Sequence, residues 1–581
     1  MNVIRKLKIV LNKKQKKRVI LLCVLIFFSA LMELLSVSII IPLITAVVTP
    51  DTILENEKVK FVLNLAGIEN IDPGLFVRIL LLITMGIFFF KNAYLFILTV
   101  VQSRFIADAR SISSIRLMGD YLNRPYEYYL NADVNMMLQT VNKDIPHIFE
   151  LLQECMLLIT ETAVSVCICA VLLIIDPIMT LSMAALLGFM LLLVVLILKP
   201  RLGRIGNKRV NEQNNMMKWM QQGIFGIKDV KVAAKEKYFL DRFDEGSRAQ
   251  SDALRKYTIF NQFPRLVIET VCIVGLLFYM FVAVMMGRDL KEMLPQLMAF
   301  GVAAVRLMPA VNRISTHLSA IAYFEPSLDV VVDNMDLDLA SLKDAKIEEK
   351  HASALKFEKE IQLKGISYHY PNTEKEIFDH ADMNIPIGAS VGVIGPSGAG
   401  KTTIVDILLG LLQPQKGEIL VDGNKVTPGD AAWYSNIGYI AQNIYMLDTT
   451  IRENVAFGTT DKEADEKRIW EVLDEAQMGD FVRKLPDGLD TVIGDRGVRI
   501  SGGQRQRIGI ARALYNDPKL LVFDEATSAL DNETEAAIMD AINSLKGRKT
   551  MVIIAHRLKT IENCDIVYRV ENGRIEQTEK V

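Results

Sequence analysis

Six stretches in the first part of the chain, at about 19–48, 75–101, 151–175, 178–198, 266–286 and 294–314, are apolar runs near or above the ~20 residues that a helix needs to cross a bilayer. Hydrocarbon offers the backbone no hydrogen-bond partners, so such runs must close their bonds internally, as helices. The expected fold is therefore multi-domain, opening with a six-helix α-helical transmembrane domain over residues 1–330. The 51% hydrophobic content agrees, being above what soluble proteins show. Beyond Leu337 the charges are spread evenly. Residues 331–355 are polar and read as a linker, and 356–581 alternate strand-like with helical patterns, which predicts an α/β domain with a largely parallel sheet.

Charge sets the orientation. The first 18 residues carry Arg5, Lys6, Lys8, Lys13, Lys14, Lys16, Lys17 and Arg18, interleaved with Val3, Ile4, Leu7, Ile9, Val10 and Leu11. A cleaved signal peptide is one reading, but the apolar run that follows is long and has no clear small-residue cleavage site. An interfacial helix feeding a retained span fits better and places the N-terminus in the cytoplasm. Arg104, Arg110, Arg116 and Arg124 follow the second run, and Arg201, Arg204, Lys208, Arg209, Lys218, Lys228 and Lys231 follow the fourth. The positive-inside rule then gives a multi-pass protein of the inner (cytoplasmic) membrane with both termini and the soluble domain cytoplasmic. The long basic segments should extend the helices as rods below the membrane, with turns at 125–133 and 223–230. Residues 54–68 form an amphipathic pattern on the outer side, either a contact for a lipid substrate or a cap on the bundle. The net charge of -2 gives no hint of a nucleic-acid partner, and the six cysteines show no metal-ligand spacing.

Ionisable residues inside the runs are costly unless they face a cavity or a partner. Lys91, Arg265, Arg306 and Arg313 are the cationic ones, and Glu33, Glu154, Glu161 and Glu269 the acidic ones. Arg306 and Arg313, seven residues apart, share a helix face at about 10 Å. Two readings stand side by side: structural ion pairs, or a cavity in which the four cations hold an anionic group, with the arginines suited to bidentate phosphate contacts.

In the soluble domain, VGVIGPSGAGKTT ends a buried-strand pattern with Gly395-x-x-x-x-Gly400-Lys401-Thr402. Glycines let backbone amides crowd round phosphate oxygens, the lysine supplies a point charge, and the threonine hydroxyl can reach magnesium. A strand is predicted at 389–394 and a helix at 403–412. LLVFDE, at 520–525, ends a strand pattern in Asp524, suited to magnesium, and Glu525, suited to polarising a water. ISGGQ, at 500–504, opens a helix and offers a second anion site. Gln442 and His556 follow strand patterns, at the strand ends where α/β ligands bind.

This set resembles the nucleotide-binding domain of the ATP-binding cassette (ABC) family, with Ile500 in place of the leucine usual in its LSGGQ signature. The resemblance implies ATP and Mg2+ as cofactors. It implies that Tyr370 stacks on adenine and that Gly395, Ser397, Gly398, Gly400, Lys401, Thr402 and Thr403 hold phosphate. Thr402, Gln442 and Asp524 would serve the metal, with Glu525, Gln442 and His556 in catalytic roles. Ser501, Gly502, Gly503 and Gln504 form the signature, and Asp531 ends the D-loop. The family sandwiches ATP between one copy's phosphate loop and the other's signature. With one copy of each motif and none degraded, a homodimer of half-transporters with the type IV exporter architecture is implied.

The run RLMPAVNRI, the Pro264-Arg265 pair and the outer amphipathic segment also resemble PglK-type flippases of lipid-linked oligosaccharides. That implies a polyprenyl-pyrophosphate glycan as substrate, with a lipid A-type or multidrug exporter as the alternative. An ATP-gated channel or channel regulator would keep the spans, but such proteins often degrade a catalytic residue. A soluble DNA-associated ATPase is excluded if the spans insert.

Overall fold

The structure is a computed structural model that describes residues 3–39, 43, 46–47, 72–175, 177–286, 290–335, 355–371, 373, 375–426, 430–459, 463–494, 497–524, 532–555 and 561–578. The outer amphipathic segment 54–68 lies outside them, as does most of the expected linker. Two compact units form: residues 1–124 with 133–346, and residues 125–132 with 347–581.

The first unit is helical. Helices α1 (Val3–Val10) and α2 (Lys13–Ser38) meet at a bend closed by two reciprocal bonds, Asn12 N–H to Gln15 Oε1 and Gln15 N–H to Asn12 Oδ1, both 2.8 Å. This is a capping box built from amides. α3 (Pro73–Asn123) starts at Asp72, whose carboxylate accepts from the Leu75 N–H, with Pro73 at its first position, where a missing N–H costs nothing. α4 (Ile145–Ile175) follows a π-turn at Thr140–Asp144, and α5 (Pro177–Leu193) leads through a second π-turn at Val194–Leu198 into α6 (Lys199–Phe225). α7 (Glu236–Met285) and α8 (Leu290–Asn334) complete the unit. At 51 residues α3 is about 75 Å long, more than twice the hydrocarbon thickness, so the rods extend past the bilayer as the basic segments predicted.

Five helical stretches among the described residues are long and apolar enough to span, and the sixth expected span falls in the first half of α8. The basic first helix turns its apolar side to protein: Leu7, Val10 and Leu11 are buried with Leu117, Leu328 and Val331. α4 and α8 run antiparallel in a register fixed by polar and ring pairs, with Glu161 on Arg313, Glu154 on His317 and His147 stacked on Phe324.

The second unit holds two sheets. The six-stranded sheet has the order β10-β9-β3-β8-β7-β6, formed by β3 (Ser390–Ile394), β6 (Ile437–Ile440), β7 (Leu520–Asp524), β8 (Thr550–Ile554), β9 (Ile566–Glu571) and β10 (Arg574–Thr578). All its pairs are parallel except β9 with β10. A four-stranded antiparallel sheet, β2-β1-β4-β5, adds β1 (Glu360–Tyr368), β2 (Phe378–Pro386), β4 (Lys416–Val421) and β5 (Asn424–Val426). The sequence pattern did not anticipate this layer. The reason is physical: β3, β7 and β8 are buried at every position and read as solid apolar runs, whereas β1 and β2 alternate buried with exposed positions. Helix α9 (Lys401–Leu409) contributes Ile404, Val405, Ile407 and Leu408 to a core shared with both sheets, and it ends at the left-handed Gly410. On the other face of the parallel sheet, α10 (Gly502–Tyr515) buries Ile508, Ile510 and Leu514 against Phe523 and Ile553.

Candidate nucleotide site and membrane cavity

The phosphate-loop motif lies where β3, between β9 and β8 in the sheet, passes into α9. A side chain at Gly395 would collide with the carbonyl oxygen of Val570. Gly400 has φ of +105°, and a Cβ there would sit 2.9 Å from Ile377 Cγ2 and from Phe378 Cζ. Both positions need glycine because the loop wraps tightly over its neighbours. Lys401 is buried, and its Nζ donates to the carbonyls of Gly395 and Pro396, both at 3.0 Å. Its charge is thus held at the centre of the loop. Ser397, Gly398 and Thr402 are exposed around it, while Thr403 is buried and its Oγ1 lies 2.9 Å from the Tyr370 hydroxyl. Tyr370 is thereby tied to α9, with its ring edge-on to Tyr368.

Asp524, at the C-terminal end of β7, is buried, and the Tyr439 hydroxyl donates to its Oδ2 at 3.3 Å. Burial lifts the nearby Asp406 carboxyl to about 6, and the charge of Asp524 adds to the lift. Burial also raises Tyr439, again with a contribution from Asp524. Both shifts report negative charge in a low-dielectric corner, a setting that favours an added cation. No group of three or more His, Cys, Asp or Glu arranged for a metal occurs among the described residues. Magnesium at phosphate sites commonly takes one or two carboxylates and leaves the rest of its shell to phosphates and waters, so Asp524 and Thr402 fit it.

Gln442 follows β6, is exposed, and accepts at its carbonyl from Gln506 Nε2 of α10. Ser501 caps α10: its Oγ accepts from the Gln504 N–H, and Gln504 Oε1 accepts from the Ser501 N–H. The hydrogen bonds of these two signature side chains therefore close on each other, with Ser501 exposed, Gly502 partly so and Gly503 buried. Glu525, Asp531 and His556 lie outside the described residues.

The membrane cations divide. Lys91 is buried, with its Nζ 2.9 Å from Glu33 Oε2 and above the Phe88 ring. Of the two readings, the ion pair describes Lys91: a buried ammonium needs a carboxylate partner, and it has one. Arg313 Nε is 2.7 Å from Glu161 Oε1, although half of its side chain stays exposed. Arg265 has no ion pair among the described residues. It lines a cavity of about 550 Å³ with Glu269, Met308, Pro309, Asn312, Arg313 and Thr316. The side chain of Arg306 lies outside the description.

Two family models match the chain: the ABC transporter transmembrane region over residues 19–302, and the ABC transporter model over residues 378–528. The chain belongs to the ABC transporter family. Among relatives, the ATP-dependent lipid A-core flippase of Burkholderia orbicola (strain AU 1054) is 30% identical over 376 residues, 64% of this chain and 62% of that protein. The uncharacterized ABC transporter ATP-binding protein YwjA of Bacillus subtilis (strain 168) is 39% identical over 218 residues, 37% of each chain. The aligned part thus spans less than two thirds of these relatives' length. A solved bacterial Atm1-family ABC exporter with ATP bound superposes with a TM-score of 0.72 at 22% identity, covering 95% of this chain and 94% of that one. The fold is therefore that of an ABC exporter, a helical membrane domain followed by an α/β ATP-binding domain.

Sequence reasoning missed Tyr439 and Asp406, whereas it named Glu33 and Glu161 as acidic residues inside the apolar runs without assigning each its cation. Tyr439 reaches Asp524 because β6 pairs with β7 in a register that places it opposite Val522. Strand adjacency has no local sequence signal. Glu33 and Glu161 did carry one, as carboxylates within apolar runs.

Proposed function

We propose that this ABC transporter chain hydrolyses ATP to flip a phosphorylated glycolipid across the inner membrane, acting as one half of a homodimer. The observation that carries the ATP reading is the phosphate loop with Lys401 held at its centre, together with the buried carboxylate of Asp524 at the C-terminal end of β7. Lys401 and the loop amides would bind the phosphates. Thr402 and Asp524 would hold Mg2+, which supplies charge neutralisation at the phosphates when bound. Glu525, next in sequence to Asp524, would orient the attacking water, and Gln442 and His556 would complete the site. The exposed Ser501 at the N-terminus of α10 would serve the phosphate loop of the second copy.

For the substrate, the support is Arg265, without an ion pair among the described residues and lining the roomy cavity together with the half-exposed Arg313. An unpaired guanidinium at membrane depth favours a phosphate or pyrophosphate. Several relatives are named ATP-dependent lipid A-core flippases, which favours a lipid A-type substrate. The RLMPAVNRI segment, which supplies four of the seven lining residues, keeps a polyprenyl-pyrophosphate glycan as the second reading. Reconstituted into vesicles, the chain should flip one of these two phosphorylated lipids in an ATP-dependent way and leave a neutral amphiphile of equal length behind. Arg265→Gln should reduce flipping more than basal ATP turnover. Equal flipping of the neutral amphiphile, or a proportional loss of both activities, would refute the phosphate role of Arg265.

A further inference from the structure

The N-terminal elbow carries a concentration of charge that neither the ATP site nor the cavity uses. Lys6 pairs with Asp329, and Lys14 is also engaged. The side chains of Arg5, Lys8, Lys13, Lys16, Lys17 and Arg18 make no ion pair or hydrogen bond among the described residues, and all but the half-buried Lys16 are exposed. Directly after them α2 turns apolar, with Ile20, Leu21, Val24, Phe27 and Phe28 exposed. The cations between Lys13 and Arg18 occupy under two helical turns, about 9 Å of axis, immediately below that apolar belt. If the belt faces hydrocarbon, the cations stand at the level of the lipid headgroups.

The elbow is also fixed, unlike a loose basic tail. Leu7, Val10 and Leu11 are buried, and Asn12 and Gln15 lock the bend. Gln15 Nε2 donates to the Ala109 carbonyl of α3, and Arg116 of α3 reaches the Val10 carbonyl that ends α1. A pinned scaffold loses little ordering entropy on binding, so the six cations form a site of constant shape.

We propose that the α1–α2 elbow binds the headgroups of anionic phospholipids in the leaflet on the N-terminal side. The charge complement selects an anion, and the adjoining exposed belt selects one that carries acyl chains over a free phosphate or an acidic protein segment. Occupancy ties the start of α2 to the membrane surface and stabilises the packing of α1 on α8.

The test uses the full chain in detergent, with phosphatidylglycerol or phosphatidylcholine added. Native mass spectrometry reads the bound lipid, and thermal unfolding reads its effect. The wild type should retain phosphatidylglycerol over phosphatidylcholine by on the order of tenfold. The preference should collapse as salt rises from about 0.1 M to about 1 M. Combined Lys13→Gln, Lys16→Gln, Lys17→Gln and Arg18→Gln should remove it and leave the melting temperature in phosphatidylcholine unchanged. Should that variant insert poorly, the pair Arg5→Gln and Lys8→Gln, which keeps the inner cations, should lower the preference several-fold. A wild type without preference, a preference insensitive to salt, or variants that keep it in full would overturn the proposal. Equal competition by inorganic phosphate or an acidic peptide would overturn it too, by removing the need for a lipid.

Discussion

The two turns that cap the long helices started from one sequence signature, a short break between helix-patterned basic segments, and the structure treats them differently. The first, around the single helical turn Tyr126–Tyr129, belongs to the compact unit of the ATP-binding domain. There Glu127 Oε1 accepts from the Gln413 N–H at 3.2 Å, just beyond α9. Burial raises the Tyr368 hydroxyl, and the carboxylate of Glu127 adds to that rise. Burial likewise raises Tyr126, with Asp406 and then Tyr370 contributing. The second turn, Ile227–Val232, is held by its own helices: Val230 is buried, and Trp219 packs edge-on to Tyr238 and Phe239 with Arg242 over its ring. Ile224, Phe225, Ile227 and Val232 stay exposed, the last at 84%. A polar, aromatic turn has found its surface within the chain, while an apolar one presents a patch to be covered. The second copy of the chain proposed above would be the cover.

The largest effect should come from the second turn. Ile227→Asp or Val232→Asp changes an exposed position, so the stability of the single chain should move by no more than about 0.5 kcal/mol. If a second copy buries these side chains, a carboxylate there must be desolvated without a partner, and ATP turnover should fall at least tenfold on the order expected for such a loss. Turnover by the reconstituted protein, together with the mass of the assembly in solution, checks this. Full turnover by both variants would break the contrast between the turns. A middle-sized effect should come from the first turn. Glu127→Ala removes one hydrogen bond to a backbone amide, about 1 kcal/mol, and should weaken substrate stimulation of turnover several-fold with basal turnover kept. Unchanged stimulation would show that the Glu127 contact only packs the turn.

How much of this was legible beforehand follows from the range of each signal. Spans, phosphate loop and capping signature are local patterns, so Gly395 to Thr402 and Ser501 to Gln504 were found with the right flanking elements. The antiparallel layer was not, because half-exposed strands such as β2 lack an apolar run. The fate of Lys91 depended on whether Glu33, 58 positions away in the chain, packs beside it, and α2 against α3 is a tertiary fact. Tyr439 and Asp406 were missed for the same reason. They surround Asp524 only once β6, β7 and α9 are assembled.

The smallest effect is one of pH, and it sharpens the same comparison. Asp406 titrates near 6 in the folded chain, against an ordinary value of 3.8. Its folded pKa is raised, so the folded state holds the proton more tightly than the unfolded one. The neutral form is the compatible one, and stability from this group falls as pH rises from about 4 to about 6, then stays level. Asp406→Asn should therefore raise the melting temperature at pH 7 with no nucleotide present, and the gain should shrink to nothing towards pH 4. Tyr126 of the first turn feels the charge of Asp406, so this window belongs to the turn held within the chain and not to the exposed one. Melting curves of wild type and Asp406→Asn over that range decide it. A gain from Asp406→Asn that is constant with pH would mean that the lost carboxylate acted through packing and not through charge.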